Sequence, residues 1–349
     1  MVGVGARIAI ALSLGLIFAA RVGAQDRDRL LVGNSGSDSV VAFDPRTGRY
    51  LGEFIAAGSG GLVAPDAMSF GPDGALYVSS GDASDNSAIL RFDAQTGAPL
   101  GVFARGGGLV RPYGHVFGPD GLLYVSSFMT DQILRYDAQS GEFVDVFASG
   151  NGEPGSTNGP NGLAFGPEGL LYVTTEGSVL GTFPGLPSEV LRFEIATKRG
   201  ETFIAQPEPA PTSPGYVSLL GLVFGPNCPR SCDLFISDFA SDIRRYDAQG
   251  TLVAQLSTDY TGTNPSSNAT GALTFGSRGE LFTVGFDQRE GAGEIGAILR
   301  FEARTGRPRP RAGGDGAVFV GPSARLVRPI GILDAPRKSC EQAGGGVSR

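Results

Sequence analysis

The sequence predicts an all-β fold, a six-bladed β-propeller with four antiparallel strands in each blade. Two observations predict it: a strand-turn-strand segment recurs along the chain, and a different strand with its own ending follows each copy. Four-strand units that repeat at a period of about 50 residues are typical of propeller blades. A third observation, a lone first-strand sequence near the C-terminus, predicts that the ring is closed there.

The recurring segment consists of a short strand that ends in Phe, a Gly-Pro-Asp-Gly turn, and an alternating apolar strand. Gly, Pro and Asp favour tight turns, and the alternation of apolar and polar residues is typical of a half-buried strand. The copies are FGPDGALYVSS from Phe70, FGPDGLLYVSS from Phe117, FGPEGLLYVTT from Phe165, and the looser FGPNCPRSCDLFISD from Phe224 and FGSRGELFTVG from Phe275.

A third strand follows each copy, often with an Asp-x-x-Thr-Gly ending that is turn chemistry. A short outer strand such as PLGVFA at 99–104 then returns, which makes four strands in each unit. The aromatic residue of the third strand recurs at spacings of 49, 44, 57, 53 and 55 residues, so the chain has six units. These aromatic residues are Phe43, Phe92, Tyr136, Phe193, Tyr246 and Phe301.

The first unit begins at RLLVGNSGSD with a second strand and lacks a first one. The segment VRPIGILD at 327–334 matches the first strand VRPYGHVF at 110–117, and no second strand follows it. We therefore expect the C-terminal segment to supply the innermost strand of the N-terminal blade, so that no sheet edge stays open. Separate β-sandwich modules are the alternative, but the chain offers no linkers between them. The predicted propeller spans residues 25–336, and a flexible tail spans 337–349.

The N-terminus indicates export. A basic Arg7, an apolar run over 8–20 and the small residues at 22–24 are the pattern of a cleaved signal peptide over residues 1–24, and the run is too short to span a bilayer. An uncleaved anchor is the alternative. We expect a secreted or periplasmic protein, with no membrane span in the mature chain.

The composition is acidic, with a formal net charge of −7 that becomes −9 once Arg7 and Arg21 leave with the signal peptide. This charge disfavours nucleic acid as a partner. We expect a monomer.

Cys228 and Cys232 lie four residues apart, so in an oxidising compartment we expect a disulfide between them, with Cys340 left over. Three thiols without a disulfide are the alternative.

The segments PNGLAFGPEGLLYV and ILRYDAQSG resemble NHL-repeat propellers and the related gluconolactonase and senescence-marker superfamily. The resemblance covers about residues 30–334. It implies the propeller fold but leaves the function open, because the superfamily holds lactonases, lyases and binding scaffolds. It also implies a metal ligand at Asn161, in the Asn-Gly-Leu motif, and a second at Asp66. The sequence has no counterpart of the Glu that gluconolactonase-like enzymes use near the first blade.

The entry position of the first strands varies between blades, which marks it as a candidate site. It holds Asp66, Tyr113, Asn161, Leu220, Gly271 and Ile330. In a propeller this end of the inner strand lies beside the central channel, so Asp66 and Asn161 could offer oxygen atoms to Ca²⁺ or another divalent cation, with loop acids such as Glu176 and Asp238 completing the shell. Asx-turn residues without a ligand are the alternative.

The only histidine of the chain, His115, is a candidate general acid or base. The equivalent positions of the other units are all apolar, so the alternative is a structural histidine between blades with one nitrogen hydrogen-bonded. One histidine excludes every site that needs two.

Four long segments, at 174–190, 206–220, 257–271 and 285–297, lie on the predicted channel face. Long loops on a rigid scaffold often bind ligands, although they can also be tolerated insertions. We therefore predict a binding module that holds a protein or glycan ligand on this face. The alternative is a metal-dependent lactonase or related hydrolase that takes a small lactone-type substrate. A third reading is a scaffold that stabilises a larger assembly.

Overall fold

The computed structural model describes residues 28–177, 185–226, 228, 232–240 and 242–336. Within these ranges, 24 strands form six four-stranded antiparallel sheets, which are the blades of the predicted propeller. The predicted signal peptide, the C-terminal tail and Cys340 lie outside the described residues.

Blades 2 to 6 each follow the chain order from the innermost to the outermost strand. Two single-turn 3₁₀ helices, Ser59–Gly61 and Phe128–Thr130, interrupt the connections. The strands of these five blades are β4 to β7 (Met68–Phe70, Leu76–Ser80, Ala88–Phe92, Pro99–Ala104), β8 to β11 (Pro112–Phe117, Leu122–Ser127, Gln132–Asp137, Phe143–Ser149), β12 to β15 (Pro160–Phe165, Leu171–Thr175, Val190–Phe193, Gly200–Ile204), β16 to β19 (Leu219–Phe224, Leu234–Asp238, Asp242–Tyr246, Leu252–Ser257) and β20 to β23 (Asn268–Phe275, Glu280–Asp287, Ile295–Glu302, Val318–Val327).

Blade 1 is built from both ends of the described chain, as the sequence predicted. Its outer three strands are β1 (Arg29–Asn34), β2 (Ser39–Phe43) and β3 (Tyr50–Ile55), and its innermost strand is β24 (Pro329–Ala335). Strand β24 runs antiparallel to β1, with Leu31 opposite Leu333 and Val32 opposite Ile332. Ile332 is buried in a cluster with Val32 and with Phe282 of blade 6. The pairing therefore closes the ring.

The recurring Phe and Tyr of the sequence repeat hold neighbouring blades together. Tyr77 of blade 2 packs edge-on against Phe117 of blade 3, with ring centroids 5.0 Å apart. Tyr124 makes the same contact with Phe165 at 5.5 Å, and Tyr172 makes it with Phe224 at 5.1 Å. Edge-to-face aromatic pairs add about 0.5–1.5 kcal/mol beyond their buried area. The hairpin recurs because each copy supplies one side of such a contact.

Small residues line the centre of the ring, where the six first strands approach one another. A Cβ atom on Gly162 would lie 2.6 Å from the carbonyl oxygen of Leu220, and one on Gly221 would lie 3.0 Å from Cα of Ala272. A larger side chain at this level would push the blades apart. The six positions hold Ala67, Gly114, Gly162, Gly221, Ala272 and Gly331.

Acidic residues at the start of the third strands hold the chain as it crosses to the next blade. Asp38 accepts the N–H of Ala64 at 2.7 Å, and Asp131 accepts the N–H of Gly159 at 2.6 Å. At the seam, the side chain of Glu294 accepts from Arg328 at 3.1 Å. These acids therefore link successive blades.

The hairpin of blade 5 contains the disulfide Cys228–Cys232 that the sequence predicted. No helix in the described ranges is long and apolar enough to cross a membrane.

Candidate functional site

A cavity of about 370 Å³ lies at the end of the channel where the first strands begin. Five of the six variable entry residues of the sequence repeat line it: Asp66, Tyr113, Asn161, Leu220 and Ile330. The sixth is Gly271, which has no side chain. The entry positions meet here because the first strands converge on the axis, where the Gly or Ala that follows each entry residue lets the strands approach one another.

Asp66 is the most unusual residue of the cavity. It is 8% exposed, and among the described residues its carboxyl has no hydrogen-bond partner. Its backbone is fixed, because its N–H donates to the carbonyl of Ser79 at 3.1 Å. A buried polar group without a partner costs free energy, so such groups are rare unless a ligand or water completes them.

A second carboxyl, that of Glu176, lies near Asp66 and receives the side-chain amide of Asn161. Asn161 Nδ2 donates to Glu176 Oε1 at 2.5 Å. Glu176 follows the second strand of blade 4, whereas Asn161 opens the first strand of the same blade. The structure therefore brings together three of the four oxygen donors that the sequence singled out: Asp66, Asn161 and Glu176.

Both carboxyls hold their protons strongly. Burial, and next the negative charge of Glu176, raise the pKa of Asp66 to about 8, although Arg111 and Arg328 act in the opposite direction. Burial raises the pKa of Glu176 to about 7, against the hydrogen bond from Asn161 and the charge of Arg111. Burial also raises the pKa of Tyr113. The cavity is thus strongly desolvated.

Two arginines line the same cavity, and the sequence analysis did not find them. Arg111 and Arg328 directly precede Pro112 and Pro329, and both have left-handed backbones, with φ of 56° and 45°. Residues other than Gly rarely adopt this conformation. Ala64 and Gly159 adopt it as well, also directly before a proline, so it is a feature of the repeated blade that here fixes the two arginines. The signal in the sequence was the Val-Arg-Pro triplet, which occurs at both places.

The two arginines differ in their partners. The guanidinium of Arg328 forms an ion pair with Glu294 at 3.1 Å and lies over the ring of Phe286. The guanidinium of Arg111 lies over the rings of Tyr113 and Phe128, at 5.2 and 5.9 Å from their centroids. Within the described part of the chain, Arg111 has no ion pair. Its positive charge is therefore available to a ligand.

Three of the four long loops contribute to the cavity. Glu176 comes from the loop at 174–190, Tyr216 and Ser218 come from that at 206–220, and Glu294 comes from that at 285–297. The loop at 257–271 does not line the cavity but is tied to its neighbour, because Ser266 N donates to Thr212 O at 2.7 Å.

Asp238, the fourth candidate ligand, does not line the cavity. Its Oδ2 accepts from the buried guanidinium of Arg244 at 3.0 Å, and its Oδ1 accepts the N–H groups of Ser218 and Ala240. Burial raises its pKa to about 6. Both carboxyl oxygens of Asp238 therefore have protein partners, and one of these hydrogen bonds holds Ser218 in the loop at 206–220.

His115 is buried between blades 2 and 3, away from the cavity. Its two ring nitrogens lie 2.8 Å from the hydroxyl oxygens of Ser69 and Ser79. Burial lowers the pKa of His115 to about 4, so the ring is neutral at physiological pH. Both nitrogens therefore have protein partners, one more than the structural alternative expected.

A metal ion would find only part of its coordination shell at this cavity. Asp66, Glu176 and the amide oxygen of Asn161 would hold it, whereas Ca²⁺ prefers six to eight oxygen ligands. Arg111 and Arg328 add positive charge beside these donors. In the ranges that the structure covers, no group of three or more His, Cys, Asp or Glu side chains is placed to hold a metal ion. The described donor set thus fits a divalent cation poorly.

A larger groove, of about 670 Å³, lies at the rim between blades 6 and 1. Its charged lining is provided by exposed side chains such as Arg49, Arg311 and Arg325. It is open to solvent and contains no desolvated polar group comparable to Asp66. We therefore regard the axial cavity as the candidate site.

Comparisons with known proteins confirm the fold. No protein-family model and no curated protein matches the sequence. A chain of a nidogen/laminin complex matches with a TM-score of 0.62 at 13% identity, over 89% of this chain and 100% of that one. The periplasmic gluconolactonase of Pseudomonas aeruginosa matches with a TM-score of 0.53 at 13% sequence identity, over 89% of this chain and 99% of that one. A gluconolactonase of Xanthomonas campestris matches with a TM-score of 0.51 at 16% sequence identity, over 73% of this chain and 78% of that one. The predicted likeness to gluconolactonase propellers thus holds for the fold.

Proposed function

We propose that this propeller is an extracytoplasmic binding module that holds a small polar ligand, or the polar end of a larger protein or glycan, in the axial cavity. The observation that carries the proposal is Asp66, a buried carboxyl that lines the cavity without a partner. Ligand pockets combine a desolvated cavity with a few convergent polar groups, which is the arrangement here. The nidogen/laminin neighbour supports a binding role for this fold.

A screen of small polar compounds by thermal shift tests the proposal. The compounds are neutral sugars, sugar acids, sugar lactones, amino acids and amines. We expect at least one class to raise the melting temperature, because a ligand at 100 times its Kd adds about 2.7 kcal/mol to the free energy of unfolding. Asp66→Ala should remove the shift. Asp137→Ala, the same substitution at the end of β10 and outside the cavity, should keep it. If no class shifts the melting temperature, the binding proposal is wrong.

A metal-dependent lactonase is the second candidate. The gluconolactonase neighbours and the meeting of Asp66, Asn161 and Glu176 favour it. A bound metal ion would supply a Lewis acid for a lactone carbonyl or a bound water. The small number of donors and the two arginines place this candidate second.

Calcium, magnesium, manganese and zinc, each added alone, distinguish the two candidates. As a binding module the purified protein should carry no metal, and its melting temperature should stay unchanged. A rise with one of the ions that disappears in both Asp66→Ala and Asn161→Ala, together with lactone hydrolysis lost in both variants, would instead establish the lactonase.

A further inference from the structure

The axial cavity presents both acidic and basic side chains to a ligand. Asp66 and Glu176 form its acidic side, and its basic side is Arg111, which lowers the pKa of both carboxyls but forms no ion pair among the described residues. We infer that the ligand is a small zwitterion of the amino-acid type, with its ammonium group at Asp66 and Glu176 and its carboxylate at Arg111. This inference rests on the proposed binding function and names its ligand class.

The acidic side has room for a donor group. Asp66 has no hydrogen bond from the described protein, whereas Glu176 accepts from Asn161 and from the hydroxyl of Ser218. An ammonium group carries three N–H donors and no acceptor, so it can serve both carboxyls at once. The two carboxyls repel one another when both are charged, and a cation placed between them removes that repulsion.

The basic side is fixed by the backbone. Arg111 has a left-handed φ of 56° between Val110 and Pro112, and its N–H donates to Ser87 Oγ at 2.8 Å. Its guanidinium stacks on Tyr113 and Phe128, which restricts it to the cavity wall. A planar guanidinium in a fixed position binds carboxylates through paired hydrogen bonds. Arg328 is less available, because Glu294 already neutralises it.

Other ligand classes leave some of this charge uncompensated. A metal ion or simple amine would leave Arg111 beside an added positive charge, and a simple anion would lie beside Asp66 and Glu176. A neutral sugar would leave the guanidinium charge of Arg111 without a counter-charge, which is costly in a desolvated site. A zwitterion supplies an ammonium group to the two carboxyls and a carboxylate to Arg111.

The size and the walls of the cavity agree with such a ligand. The volume of about 370 Å³ equals that of roughly a dozen water molecules. Tyr216 and Phe239 line it together with Tyr113, and aromatic faces stabilise an ammonium group within about 6 Å. The cavity therefore suits an amino acid rather than a long peptide.

Isothermal titration with matched compounds tests the inference. The zwitterions are glycine, β-alanine, γ-aminobutyrate and 5-aminovalerate, which vary the distance between the two charges. The controls with one charge are butyrate and butylamine, and the others are gluconate, glucose and calcium chloride. We expect at least one zwitterion to bind at least tenfold more tightly than butyrate and butylamine. Asp66→Asn and Arg111→Gln should each weaken the affinity for this zwitterion about 30-fold or more, and Asp137→Asn should leave the affinity unchanged.

The outcomes separate this inference from the function on which it rests. If butyrate, gluconate, butylamine, glucose or calcium binds as tightly as the best zwitterion or more tightly, the zwitterion inference is wrong. The cavity would still be a binding site if Asp66→Asn weakened the binding of that compound. Binding of a zwitterion that neither variant weakens would also overturn it. If none of these compounds binds, the zwitterion inference is wrong, and the broader thermal-shift screen decides the binding function. Melting curves of both variants establish that a loss of affinity is not a loss of fold.

Discussion

Deletion of residues 328–349 is expected to destabilise all six blades together and to abolish folding at physiological temperature. The deletion removes β24, which pairs with β1 along its length, and it uncovers the faces of blades 1 and 6. Burial of Ile330 and Ile332 alone is worth about 3–6 kcal/mol, a large share of the roughly 5–15 kcal/mol that stabilises a typical domain. Thermal unfolding followed by circular dichroism measures the effect.

Deletion of residues 337–349 is the control. It leaves β24 intact, so the melting temperature should stay within a few degrees of that of the full chain. If the longer deletion also melts at the original temperature and in one transition, β24 does not close the ring.

Asp66→Asn is expected to stabilise the ligand-free protein by a few kcal/mol at pH 8 and to have little effect at pH 4. In the unfolded chain the carboxyl of Asp66 has its ordinary pKa of 3.8, whereas in the folded chain burial raises this pKa to about 8. The folded state therefore binds more protons between these values, so the stability due to this group is present at low pH and is lost as the pH rises from about 4 to about 8. Asparagine does not ionise and removes this loss.

Urea denaturation of both proteins at pH 4, 6 and 8 measures the difference. The gain of the variant should increase with pH and level off above pH 8. Asp137→Asn, a change of the same type at the end of β10, should show no such gain, because hydrogen bonds from Ser140 and Gln139 lower the pKa of Asp137. An Asp66→Asn variant that is less stable at pH 8 would mean that the ionised carboxyl has a stabilising partner. Together with the expected loss of affinity, the gain would show that Asp66 is retained for binding at the expense of stability.

The fold could be predicted almost completely from the sequence, because each blade repeats the same burial pattern. The strand PLGVFA at 99–104 is β7 with the same bounds, and VRPIGILD closes the ring as expected. These features depend on local turn chemistry and on alternation of apolar residues, both of which are readable along the chain.

The site could be predicted only in part. Asp66 and Asn161 meet because they occupy one repeat position on converging strands. Arg111 and Arg328 were missed, because their direction depends on a left-handed backbone that the residue type disfavours.

The ion pair of Asp238 with Arg244 was not predicted, although the sequence contains a signal for it. Arg244 occupies a third-strand position that is Val41, Leu90, Leu134, Leu191 or Leu299 in the other blades. A charged residue at an apolar position requires a buried counter-charge, and Asp238 and Asp242 supply it.

The construction of blade 1 from both ends of the chain has a consequence for synthesis and proteolysis. The cavity contains Ile330 from β24, Arg328 directly before β24, and Asp66 from the second blade, so it does not exist until β24 has left the ribosome. A ligand bound there would act as a clamp across the junction, with a strength set by its concentration relative to its Kd. Affinity for the ligand would then depend on the presence of β24, since a nascent or clipped molecule without this strand lacks one wall of the cavity.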